Sequence, residues 1–160
     1  MAGMFPTIVS DPNDPNRRYR GAVGDTWPRN LQIAFYLICG AAVLMLVTAM
    51  MLLSQGFPGD PANESLRASY MTNLRAVSIG NIVLALLLVS AASYFRHGNR
   101  IARRRAAGFV ALSCFLNVAA FMVQLTSWAS MVIVILLAFS MLFAFRPDAN
   151  AFVDKMSPRF

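Results

Sequence analysis

Four stretches of this chain are apolar with almost no interruption: 31–53, 77–95, 107–125 and 130–145. Polar or breaker-rich segments separate them. The first stretch, LQIAFYLICGAAVLMLVTAMMLL, rises about 34 Å as a helix, enough to cross a bilayer core of about 30 Å with slight tilt. Residues 107–145 taken as one helix would be far too long for a single crossing, so the Thr126-Ser127-Trp128 break predicts a hairpin between the third and fourth spans. The last two spans are short for the hydrocarbon thickness. Trp27 and Tyr36 suit an interfacial aromatic belt at the start of the first span.

The connections carry their own signals. Residues 1–30 are polar and broken by Pro6, Pro12, Pro15 and Pro28, which predicts an irregular arm. Between the first two spans, Asp60-Pro61 reads as an N-cap followed by proline at the first helical position. No breaker follows until Gly80, so the second helix is expected to start near Pro61 and run to about Arg96. Its extension beyond the span carries Leu66, Tyr70 and Leu74 at helical spacing, a stripe for lipid headgroups or a partner. Gly98 is placed to end this helix and Asn99 to cap a third one from Arg100. Pro147 is expected to stop the fourth helix, leaving 147–160 as a tail.

Within the spans, small and weakly polar residues recur at alternating steps of three and four. The second carries Ser78, Asn81, Ala85, Leu88 and Ala92; the third Ala106, Val110, Ser113, Asn117, Ala120 and Gln124. The fourth carries Ser130, Ile133, Leu137, Ser140 and Ala144, and the first Ala34, Ala41 and Thr48. Lipid gives no hydrophobic drive between helices, so such residues mark the packing seams. A repeat near 3.5 gives left-handed bundle packing. The fold class expected is an all-α membrane protein, an up-down-up-down four-helix transmembrane bundle over 31–146. Asn81, Ser113, Asn117 and Gln124 are the expected interhelical polar contacts.

Charge sets the direction. Of 160 residues 58% are hydrophobic and only 13% charged, about half the share in soluble domains. The formal net charge is +7. Twelve Arg and Lys residues fall in the arm, the 96–105 connection and the tail, against Arg67 and Arg75 on the other side. By the positive-inside rule both termini are cytoplasmic. Arg96, Arg100, Arg103, Arg104 and Arg105 form the densest cluster. Besides fixing topology, they are candidates to hold an anionic phospholipid such as cardiolipin, or an acidic partner. The basic residues lie between spans, not on one face with interleaved aromatics, so nucleic acid is not the expected partner.

No Asp, Glu, Lys, Arg or His lies inside any span, which argues against proton relays and coupled transport. Cys39 and Cys114 lie in apolar stretches and read as small buried hydrophobes. No cofactor or metal motif is visible, and an enzyme ranks last because no nucleophile–base pair appears.

The segment Phe145-Arg146-Pro147-Asp148-Ala149-Asn150-Ala151-Phe152 resembles the membrane-exit segment of small four-helix proteins from high-GC Gram-positive (actinobacterial) bacteria. Some of similar layout are accessory subunits of the respiratory supercomplex that joins a cytochrome bc complex to a cytochrome c oxidase. The resemblance implies a bacterial plasma membrane, a non-catalytic accessory role and other membrane-protein subunits as partners. A subunit of a cell-envelope export complex, or a small homo-oligomeric channel lined by Ser113, Asn117 and Gln124, are the alternatives.

Overall fold

A computed structural model describes residues 23–59, 62 and 64–157. The arm over 1–22, the Asp60-Pro61 start signal and the last three residues, Arg159 among them, lie outside the described residues. Among those described, every regular element is helical. They are α1 (Arg29–Ser54), α2 (Glu64–Ser93) continued by a 3-10 turn (Tyr94–His97), α3 (Arg100–Met122), α4 (Ala129–Ala144) and α5 (Pro147–Met156).

The four long helices close a square in which α1 packs on α2 and α4, and α3 packs on the same two. The seams that line it follow the sequence spacing closely. All five seam residues of α4 are buried, as are Ser78, Asn81, Ala85, Leu88 and Ala92 on α2. On α1 the buried line is Leu31, Ala34, Ile38, Ala41, Met45, Ala49 and Leu52. Thr48 stands beside it, partly exposed, and Ala49 takes the seam position instead. The reason is geometric: a strict seven-residue step from Ala41 drifts off the face of a helix with 3.6 residues per turn.

Contacts at the two ends show how the helices alternate. At one end Leu52 of α1 clusters with Leu74 and Val77 of α2, Ala120 of α3 and Leu125. At the other, Asn30 of α1 meets Asp148 of α5, and Arg103 of α3 meets the last turn of α4. Three helices, namely α1, α2 with its 3-10 turn, and α3, are long and apolar enough to cross a membrane. A fourth crossing is reached if α4 and α5 count as one broken element, bent by 63°.

Helix ends explain two departures from the sequence reading. Gln124 does not share the α2–α3 seam. It is exposed, one residue beyond the C-cap of α3, and adopts a left-handed φ of 59°. Its N–H donates to Phe121 O at 3.0 Å and the Leu125 N–H to Ala120 O at 2.9 Å. These two bonds make a Schellman motif, which turns the chain and tucks Leu125 back onto the end cluster. The second departure is the tail. Pro147 follows the end of α4 and also begins α5, where its fixed φ and missing N–H cost nothing at the first helical position. Within the segment expected as a tail, Pro147–Met156 therefore form a ten-residue helix.

Gly98 makes that helix possible. Its φ of +63° ends the 3-10 turn, and a Cβ there would stand 2.5 Å from Met156 Cβ. Only glycine allows α5 to lie this close. Ala149, Phe152 and Val153 of α5 are buried in the main core beneath the bundle.

Candidate functional site at the arginine end

The five clustered arginines look alike in sequence and have three different fates in the fold. Asn99 caps α3, its side-chain oxygen accepting from the N–H groups of Ile101 and Ala102 at 2.9 and 3.1 Å. That cap fixes the helical phase of the three residues that follow. Arg103 is turned inward and is only 8% exposed. Its Nη1 donates to Ala144 O at 3.2 Å and to Asn150 Oδ1 at 2.7 Å, and its guanidinium lies 4.7 Å from the centre of the Phe145 ring. Asn150 in turn donates to Phe145 O at 3.0 Å. Arg103 and Asn150 thus satisfy the carbonyls that the end of α4 leaves open, where the helix dipole also favours a cation. Arg103 does not belong to an exposed patch, contrary to the sequence expectation.

Arg100 is mostly covered and pairs with Asp154 of α5. Further ties hold α5 from other elements. Asn30 donates to Asp148 Oδ2 at 2.7 Å, and Ser157 donates to Gly98 O at 3.0 Å. Lys155 donates to Val23 O at 2.9 Å and to Asp25 Oδ1 at 2.8 Å. Lys155 holds the Asp25 carboxyl below the usual carboxylate range, by its hydrogen bond first and its charge second. Helix α5 is a strap fastened to α1, α3, the 3-10 turn and the segment before α1. The spacing of Ala149, Phe152 and Val153, with Asp148 in the first turn and Lys155 in the last, was the available signal for it.

Arg96, Arg104 and Arg105 remain exposed. Arg96 borders a depression shared with Asp25, Trp27 and Phe35. Arg105 borders a groove between α2 and α3. Of the five clustered arginines only these three stay at the surface, and among the described residues Arg29, Arg146 and Lys155 are exposed at the same end.

The interior polar residues lie far from that surface. Asn117 Nδ2 donates to Asn81 Oδ1 at 3.0 Å and to Ser113 O at 2.9 Å, joining α2 and α3, and both Asn side chains are fully buried. Ser113 is buried on the same face, its hydroxyl without a hydrogen-bond partner among the described residues. At the opposite end of the bundle the stripe on α2 divides. Leu74 is buried in the end cluster, Tyr70 is half-covered with its ring 5.5 Å from that of Phe57, and Leu66 is 60% exposed.

No protein-family model, curated protein or solved structure matches this chain.

Proposed function

We propose that this chain is a non-catalytic accessory subunit of a larger membrane assembly in a bacterial plasma membrane, crossing it four times with both termini in the cytoplasm. The observation that carries this reading is the projection of α2. From Glu64 to Asn73 the helix runs about 15 Å beyond the buried Leu74, with residues 64–69 all exposed. A bundle that needed only to cross a bilayer would gain nothing from ordering these turns. A neighbouring subunit that covers Leu66 and the open side of Tyr70 would give them a role.

The interior supports a packing role over a conducting one. Ser113 and Asn117 are buried within the α2–α3 seam, where Asn117 bonds to Asn81, so neither side chain faces a lumen between copies of the chain. The first host to test is the respiratory supercomplex, on the resemblance of the segment after α4; an envelope export complex is the second.

Affinity purification from native membranes in mild detergent tests the proposal. Other membrane subunits are expected in fixed ratio, and Leu66→Asp, at an exposed position, should release them without changing the melting of the bundle. Recovery of the chain by itself, intact and folded, would count decisively against an accessory role.

A further inference from the structure

We propose that the groove between α2 and α3 at the arginine end is a binding site for one anionic phospholipid. The groove encloses about 380 Å³ and has a polar end and an apolar end. Leu87 and Ala91 of α2, one turn apart, and Phe109 of α3 line the apolar part. The small Ala91 side chain makes the dent, since the residues a turn before and just after it, Leu87 and Tyr94, are large. An acyl chain fits such a dent lengthwise along the helices.

The other end is built for a phosphate. Arg105, Asn99 and Tyr94 border it beside Ile101 and Ala102, with Ser90 a turn before Tyr94. Asn99 spends its oxygen on capping α3, which leaves its Nδ2 to donate. Arg105 is exposed, and no carboxylate lines the groove. Its neighbours Arg100 and Arg103 are already committed to Asp154 and to the end of α4, whereas Arg105 has no such partner among the described residues. A lone guanidinium and a phenol set just above an apolar cleft match the order of groups in a phospholipid, with the headgroup phosphate outside the acyl chain. A partner helix in the same place would have to bring its own carboxylate to Arg105.

This inference rests on the membrane reading of the bundle and is independent of the accessory role. The test is native mass spectrometry of the full chain in detergent, titrated with phosphatidylglycerol and with phosphatidylcholine of the same acyl chains. One phosphatidylglycerol is expected to bind in preference. Arg105→Gln should weaken it about five-fold, the contribution of one arginine near an anionic headgroup. Arg104→Gln, on an exposed neighbour outside the groove, should change it less than about two-fold by the same reasoning. Ser90→Trp keeps the charge and fills the groove, and should abolish the one-to-one adduct. Equal loss in the Arg104 and Arg105 variants, equal binding of both lipids, or an adduct that survives Ser90→Trp would each overturn the site. A photo-crosslinking side chain at Ile101 is expected to capture lipid in native membranes. Capture of a protein chain instead, or of nothing, would also overturn it. A chain that stays monodisperse in plain buffer would instead refute the membrane reading itself.

Discussion

Arg103 places a charged group within a few residues of the apolar part of α3, where an unpaired guanidinium would be costly. It is tolerated because three groups meet it: the Ala144 carbonyl, the Asn150 side chain and the face of Phe145. Each comes from the junction between α4 and α5, so this one side chain ties the start of α3 to the bend that follows α4. Removing it leaves Ala144 O and Asn150 Oδ1 without their donor and should loosen the strap where it follows α4, the other ties of α5 remaining. Arg103→Ala is expected to destabilise the folded bundle by about 2 kcal/mol, in the range for hydrogen bonds to a charged group. Protease cleavage within 147–157 should rise in the same variant. Arg104→Ala, exposed and without such contacts, is expected to stay within about 0.5 kcal/mol of the parent. Unfolding in detergent micelles compares the two, and equal effects would show that Arg103 acts only as one more surface charge.

Between elements, one side-chain hydrogen bond among those described joins α2 to α3 inside their packed seam, from Asn117 to Asn81. In an apolar surround such a bond is worth about 1 kcal/mol, because the separated helices find other partners for the amides. A double-mutant cycle with Asn81→Ala and Asn117→Ala should return a coupling of that size. Additive single effects would mean that the two amides do not act as a pair. The seam residues were legible in sequence because small residues at steps of three and four are a direct record of which helix face is covered. Gln124 continues that spacing but lies in the Schellman turn beyond the end of α3, and spacing alone does not report where a helix stops. The end of α4 shows the opposite problem. Pro147 was legible as a stop, while its second role as the first residue of α5 depended on Phe152 and Val153 finding a core to enter. The fates of the five arginines were legible only in part. Arg103 stands three residues before the seam residue Ala106, which marks it as inward-facing, but that the α4 terminus receives it left no mark in the sequence.

For the whole molecule the lengths and the charges point the same way. Helix α1 has 26 residues and α4 only 16, about 24 Å against a hydrocarbon core of about 30 Å. The shorter helix can end inside the apolar layer because Arg103 and Asn150 cover its last carbonyls, and α5 then turns away by 63°. Placed in a membrane, α5 would lie near the headgroups with Asp148, Asp154 and Lys155 at its polar side and Phe152 under the bundle. All the clustered arginines sit at that same end, while Arg67 and Arg75 mark the other. Translocating the arginine end would carry most of the basic residues across the bilayer, so the reading places it in the cytoplasm. Single-cysteine variants on a background lacking Cys39 and Cys114 test this directly. In intact cells an impermeant maleimide should label Ser69→Cys on the α2 projection. It should label Thr26→Cys and His97→Cys only after the membrane is opened. The reverse pattern would invert the bundle, and labelling of all three positions in sealed cells would mean that these helices do not separate two compartments.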